Sequence, residues 1–141
     1  MKKRIFAVLL AILMLTLSGC GSLKVYDMNE ILPPLIDVAT QYPYTEKVTV
    51  KNCATGEILE FTEGNDHDLI RMRFEGIQAI REKLKSSSEI SPLYEVTFHT
   101  TGDDLTVSLL ENQYYFVIGG YKYEAIRSGI DLLYFENLFL K

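Results

Sequence analysis

The chain has 141 residues, of which 48% are hydrophobic and 23% are charged, and its formal net charge is -5 at pH 7. A chain of this length can form one domain with its own core. The excess of acidic residues, with no basic tract to offset it, argues against a nucleic acid as partner, because the phosphate backbone would repel the protein.

The first twenty residues have the organisation of an export signal. Lys2, Lys3 and Arg4 form a positive N-terminal region, and an apolar run follows from Ile5 to Leu17. With about thirteen residues, this run has the length of a signal-peptide core and is too short to span a membrane comfortably. The sequence therefore predicts that the protein leaves the cytoplasm.

The motif Leu17-Ser18-Gly19-Cys20, directly after this run, resembles the lipobox of bacterial lipoproteins. The resemblance implies that the Cys20 sulfur receives a diacylglyceryl group and that a peptidase removes the signal peptide, residues 1–19. Acyl chains on Cys20 would bind the protein stably to the membrane. The expected location is the extracytoplasmic face of the cell membrane. The alternative is an N-terminal transmembrane anchor that keeps its helix.

Removal of the leader changes the charge and the cysteine count. Without Lys2, Lys3 and Arg4, 11 basic residues remain against 19 acidic ones, which gives a net charge of -8. Cys53 is then the only unmodified cysteine, so no internal disulfide can form. The layout of lipobox, tether and small acidic domain resembles small lipoproteins of Gram-positive bacteria, and this resemblance implies no activity.

Residues 20–44 are predicted to form a tether, and residues 45–141 a single domain. Gly21-Ser22 is flexible, whereas Pro33-Pro34 stiffens the chain and stops any helix. The sequence leaves open whether residues 31–40, which are more apolar than a free linker requires, dock on the domain.

Alternating apolar residues predict that the domain begins with a β-hairpin. Val48 and Val50 alternate with polar residues before the loop 53–56, and Leu59 and Phe61 follow it. A four-residue loop places Val50 opposite Leu59 and Val48 opposite Phe61. All four apolar side chains then lie on one face, as a hairpin with a single buried side requires.

A helix is expected next, from Asn65 or Asp66 to about Lys85. Asn65 or Asp66 can cap its first turn, and cationic residues lie at its end, where the helix dipole favours them. Its apolar residues recur at steps of three and four, as in an amphipathic helix: Ile70, Phe74, Ile77, Ile80 and Leu84.

The segment from Leu93 to Ala125 is predicted to form a four-stranded antiparallel meander. Two-residue turns are expected at Thr101-Gly102, Glu111-Asn112 and Gly119-Gly120. They place the large apolar residues on one face through the pairs Phe98–Leu105, Val96–Val107 and Tyr94–Leu109; Leu109–Tyr114, Val107–Phe116 and Leu105–Ile118; and Ile118–Tyr121, Phe116–Tyr123 and Tyr114–Ala125. A slip of one residue at any turn would scatter this pattern.

A second helix, capped by Ser128 and reaching about Phe139, is expected to end the chain. It is apolar on more than one side, so part of it is a candidate interaction surface. The predicted fold class is α+β, a twisted antiparallel sheet in ββ-α-ββββ-α order with helices packed on one face.

The strongest candidate binding surface lies on the polar face of the meander. Tyr115, Val117 and Leu110 are apolar exceptions there, and an aromatic residue on such a face can bind peptide or sugar. The strand from Tyr121 to Ala125 is a second candidate, as a sheet edge open to strand addition by a partner. The predicted partners are an envelope protein, a peptide or a glycan.

No motif in the sequence indicates a cofactor, a metal centre or a catalytic site. His67, His99 and Cys53 are the residues that a small hydrolase or a metal-dependent sensor would use. Neither histidine is near Cys53 in sequence, and a reactive thiol needs a nearby base or positive charge. We therefore favour a non-enzymatic binding module over an enzyme, with a structural envelope protein as a further alternative.

Overall fold

A computed structural model describes residues 23–34, 44–62 and 65–140. The predicted leader 1–19, Cys20 and the segment 35–43 lie outside these residues. The described elements are β1 (Tyr26–Asp27), α1 (Met28–Ile31), β2 (Thr45–Asn52), β3 (Ile58–Phe61), α2 (Asn65–Met72), β4 (Gln78–Lys83), a 3-10 turn (Ser87–Glu89), β5 (Tyr94–Thr100), β6 (Leu105–Leu109), β7 (Tyr115–Ile118), β8 (Tyr121–Ala125) and α3 (Leu132–Leu138).

The strands form one antiparallel sheet in the order β1-β4-β8-β7-β6-β5-β2-β3. The predicted α+β class is confirmed. Two connections cross the sheet. The connection through α2 takes the chain from β3 at one edge to β4 near the other, and residues 84–93 return it from β4 to the centrally placed β5.

One face of the sheet carries the core. Val50, Phe98 and Phe116 are fully buried there, and alternate residues of the same strands point to the opposite side. The helical segments pack on the core side, where the Phe74 ring centroid lies 6.0 Å from those of Phe98 and Phe135. We call the opposite side of the sheet the outer face.

The predicted pairing is confirmed in three of the four hairpins. Val50 pairs with Leu59 in the first hairpin, Val96 with Val107 in β5–β6, and Phe116 with Tyr123 in β7–β8. In each case the alternating pattern with one buried face excludes a shift of one residue, and the short loop fixes the register that remains.

The predicted β6–β7 register is wrong by two residues. Leu109 pairs with Phe116, and Val107 with Ile118, because a longer loop replaces the two-residue turn. In that loop the Asn112 side-chain oxygen accepts a hydrogen bond from the Tyr114 N–H at 3.0 Å. A shift of two residues keeps every side chain on its predicted face.

The predicted helix from residue 65 to 85 is also wrong in its second half. Helix α2 ends at Met72, and Gly76 follows with a φ of +74°, a left-handed conformation that glycine adopts without strain. Residues Gln78–Lys83 then form β4, which pairs with β8. The predicted sheet edge at Tyr121–Ala125 is therefore wrong, since β8 lies between β7 and β4.

The packed domain begins before Thr45, inside the segment predicted as a tether. Tyr26 pairs with Ala79 of β4, and the Met28 N–H donates to the Ile77 carbonyl at 3.0 Å. Met28 is fully buried in the core. Part of the predicted tether is thus a component of the sheet and of the core.

Helix α3 begins later than predicted, with Asp131 rather than Ser128 as its cap. The preceding residues pack against the loop before β7, where the Ile130 N–H donates to the Gln113 carbonyl at 2.8 Å. A Cβ atom at Gly129 would lie 2.8 Å from that carbonyl oxygen, so only glycine allows this approach.

The burial of Met28 predicts that β1 and α1 belong to the cooperative folding unit. In the chain from Gly21 onward, Met28→Ala should lower the free energy of unfolding by about 2–5 kcal/mol, because it leaves a cavity in the core. Glu30→Ala, on the exposed side of the same helix, should change it by less than about 0.5 kcal/mol. Urea denaturation of both variants measures the difference. If Met28→Ala changes the free energy of unfolding as little as Glu30→Ala does, this segment is not part of the folding unit.

Candidate functional site

Two of the three predicted binding residues line depressions on the outer face. Three adjoining depressions, of about 360, 280 and 330 Å³, lie over the β4, β8 and β7 strands. Lys122 borders all three, Tyr115 borders the first and second, and Leu110 borders the first and third. We call this continuous surface the outer groove.

The connection from β4 to β5 forms one wall of the outer groove. Its residues Glu89 and Ile90 face Leu110 across the first and third depressions. The connection is held at both ends, since the Leu84 N–H donates to the Gly120 carbonyl at 3.0 Å and the Leu93 N–H to the Leu109 carbonyl at 2.8 Å. The wall is therefore attached to the strands that form the floor.

Lys122 and Tyr115 contact each other in the middle of the outer groove. The Lys122 ammonium lies 4.4 Å from the centroid of the Tyr115 ring, a cation–π distance. The contact orders both side chains at a half-buried position. A ligand would therefore meet an aromatic face and a positive charge in a defined arrangement.

The remaining lining of the outer groove combines apolar and charged side chains. Leu23 and Ile80 add apolar surface at the end next to β1. Besides Lys122, the lining carboxylates and cations are Glu82, Glu89, Glu111, Glu124, Arg81, Lys83 and Lys85. The groove thus suits a ligand with both apolar and charged groups rather than one of a single kind.

The third predicted residue, Val117, lies on the same face but is only 6% exposed. It pairs with Lys122 in the β7–β8 ladder. Almost none of its side chain is available to a ligand, so it acts as packing below the groove. Lys122 was missing from the predicted site, although the correct β7–β8 register already places it beside Val117.

His99 takes part in a hydrogen-bonded chain elsewhere on the outer face. Its Nδ1 lies 2.7 Å from Asp104 Oδ2, and its Nε2 lies 3.0 Å from Thr49 Oγ1. The Thr100 N–H donates to the other Asp104 oxygen at 3.1 Å and orients the carboxylate. In the tautomer whose Nδ1–H donates to Asp104, Nε2 accepts a hydrogen bond from the Thr49 hydroxyl. This is the arrangement of a hydroxyl nucleophile with its base.

The structure does not bring His67, His99 and Cys53 together. His67 is buried in α2, on the core side, whereas His99 lies on the outer face. Cys53 follows the far end of β2, about 15–20 Å along the strand from the residue that pairs with His99. Among the described residues, no group of three His, Cys, Asp or Glu side chains is arranged to hold a metal ion.

The surroundings of Cys53 favour the neutral form of its thiol. Partial burial raises the pKa of this thiol, Glu95 raises it further, and Lys51 partly offsets the rise. Less thiolate is then present at neutral pH than for a free cysteine, and the thiolate is the reactive form. The raised pKa of Cys53 argues against an enzyme that uses this cysteine as its nucleophile.

Comparison of the chain with protein-family models, with curated proteins and with solved structures found no match. Within residues 23–34, 44–62 and 65–140, no helix has the length and apolar character needed to cross a membrane.

Proposed function

We propose that the chain is a lipid-anchored extracytoplasmic binding module that holds an extended polypeptide segment in the outer groove. The observation that carries this proposal is the meeting of Tyr115, Leu110 and Lys122 in one groove with a fixed wall. Tyrosine is one of the residue types that dominate binding energy at interfaces, and Lys122 places a positive charge next to the Tyr115 ring.

The dimensions and lining of the outer groove favour a peptide. From Ile80 of β4 to Leu110 after β6, the groove reaches over four neighbouring strands, or three strand spacings of about 14 Å in all. An extended segment of about four residues covers this distance. A lining with both apolar and charged side chains matches a polypeptide that carries both kinds of side chain.

The lipid anchor rests on the lipobox resemblance at Cys20, and its test is direct. In bacterial cells supplied with a labelled fatty acid, the wild-type protein should incorporate the label and Cys20→Ser should not. Cys53→Ser changes the only other cysteine and should keep the label. Labelling that survives Cys20→Ser, or no labelling of the wild type, would contradict the anchor.

The groove is tested by capture of a partner from an envelope extract, with the chain from Gly21 onward as bait. One envelope protein should be enriched, and Tyr115→Ala or Lys122→Ala should reduce its capture by about tenfold or more. Lys47→Ala is the matched control, since Lys47 lies on the same face and pairs with Glu60 outside the groove. Equal losses in Lys47→Ala and Lys122→Ala would place the binding site elsewhere.

A second candidate function, ester or amide hydrolysis, is favoured only by the Thr49–His99–Asp104 chain. It ranks second because Thr49 lies within a β-strand, and the three depressions of the outer groove do not include it. If the chain is catalytic, His99→Gln and Thr49→Val should each lower kcat/KM on activated esters by about 10²-fold or more. Thr97→Val, which removes a neighbouring hydroxyl on the same face, should keep the wild-type rate. Equal rates for the three variants would exclude this function.

A further inference from the structure

The ion pairs of the domain are concentrated away from β4. Lys47 and Lys51 of β2 pair with Glu60 and Glu95 at 3.4 and 3.2 Å. Lys24, Arg81 and Lys83 form none of the ion pairs among the described residues, and the same is true of Lys85, Lys122, Arg71 and Arg127. What distinguishes the first three is that they lie together at one edge of the sheet. An acidic protein therefore presents unpaired cations at the β1–β4 edge of its sheet.

Two tyrosines hold the central cation of this edge in place. The Arg81 guanidinium carbon lies 4.2 Å from the Tyr26 ring centroid and 4.3 Å from that of Tyr121. One Arg81 amino group donates to the Tyr123 hydroxyl at 3.4 Å, and the Lys24 ammonium lies 4.9 Å from the Tyr26 centroid. The guanidinium is thus positioned by rings rather than neutralised by an acid, and it remains exposed.

Within β4, strand alternation separates the cations from the carboxylate. Arg81 and Lys83 follow Ala79 on the core side, beyond the border of the core, whereas Glu82 points to the outer face. Because they lie at the end of the core, Arg81 and Lys83 also border the outer groove. We call Lys24, Tyr26, Arg81, Lys83 and Tyr121 the basic–tyrosine patch. It combines cations with amphipathic rings, the composition found where proteins meet lipid headgroups.

The position of the patch along the chain links it to the membrane. Tyr26 follows Cys20 by six residues, so their Cα atoms are at most about 20 Å apart. If Cys20 carries lipid, β1 is held within that distance of it, and the partner strand β4 lies about 5 Å further. Leu23 and Val25, which lie between the two, are 76% and 49% exposed and offer apolar surface to the interface.

We propose that the basic–tyrosine patch docks on the surface of an anionic bilayer and fixes the orientation of the domain. This inference rests on the proposed lipid anchor at Cys20. The exposed N–H groups of Arg81 would bind headgroup phosphates, since a guanidinium matches the geometry of a phosphate. Lys24 and Lys83 add attraction to the negative surface, and Tyr26 and Tyr121 lie at headgroup depth. The anionic headgroups repel the acidic remainder of the domain, which therefore faces away from the bilayer.

The absence of tryptophan from the chain permits a clean test. Tyr121→Trp introduces one tryptophan into the patch, and Ile58→Trp introduces one at an exposed position on β3, the opposite edge of the sheet. Each full-length, lipidated variant is reconstituted into phosphatidylglycerol–phosphatidylcholine vesicles with or without bromine-labelled acyl chains. Bromine should reduce the fluorescence of Tyr121→Trp by about twofold or more, because headgroup-depth residues lie within about 10 Å of the acyl boundary. It should leave that of Ile58→Trp unchanged.

A charge-reversal pair tests the role of the cations. In the Tyr121→Trp background, Lys24→Glu with Lys83→Glu should abolish the quenching while the protein still floats with the vesicles. Lys47→Glu with Lys51→Glu makes the same change in net charge on the other half of the sheet and should leave the quenching intact. Quenching that survives the first pair, or equal quenching of Tyr121→Trp and Ile58→Trp, would overturn the docking proposal alone. Wild-type protein that fails to float would overturn the lipid anchor and this proposal with it.

Discussion

Five residue pairs join β4 to β8, from Ala79–Ala125 to Lys83–Tyr121, and they position residues of both proposed binding surfaces. The pairing covers the free edge of the meander, which would otherwise expose unpaired N–H and C=O groups. The pairing also determines which side chains of β4 point to which side of the sheet. Ala79, in the core, and Arg81, in the basic–tyrosine patch, share one side. Ile80 and Glu82 reach the outer groove on the other side. Finally, β4 supplies the partner for β1 and so determines where the N-terminal segment joins the sheet.

The alternation of apolar and polar residues was sufficient to predict the strand pairing where short loops join neighbouring strands. The pairs Val50–Leu59 and Val96–Val107 follow from alternation and a nearby turn. Even the β6–β7 error, a shift of two residues, left Phe116 on the correct face. Tyr115 and Leu110 were therefore placed correctly on the outer face. Successive side chains of a strand alternate between the two faces, so a register error of two residues does not change the face.

Contacts between residues that are far apart in the sequence could not be predicted from such alternation. The spacing of Ile70, Phe74 and Ile77 fits a helix, and all three are buried, but the chain leaves the helix between them. Residues 78–83 form a strand because they pair with β8, which is about 40 residues away in the sequence. A pattern read from neighbouring residues does not contain this partner. Ile90 in the groove wall and the contact of Thr49 with His99 depend on long-range packing in the same way. Gly76, followed by alternation from Ile77, was the one local signal that the helix had ended.

The early start of the domain changes what an anchor at Cys20 would do. A tether of residues 20–44 would let the domain move freely above the membrane, whereas β1 pairs with the sheet only six residues after Cys20. A lipid at Cys20 would then keep the β1–β4 edge close to the bilayer, and the outer groove begins at that edge with Leu23 and Ile80. A polypeptide bound there would lie next to the membrane surface rather than at a distance from it. With the proposed anchor and the proposed groove, a segment of another protein close to the membrane would reach the site more readily than a freely diffusing one.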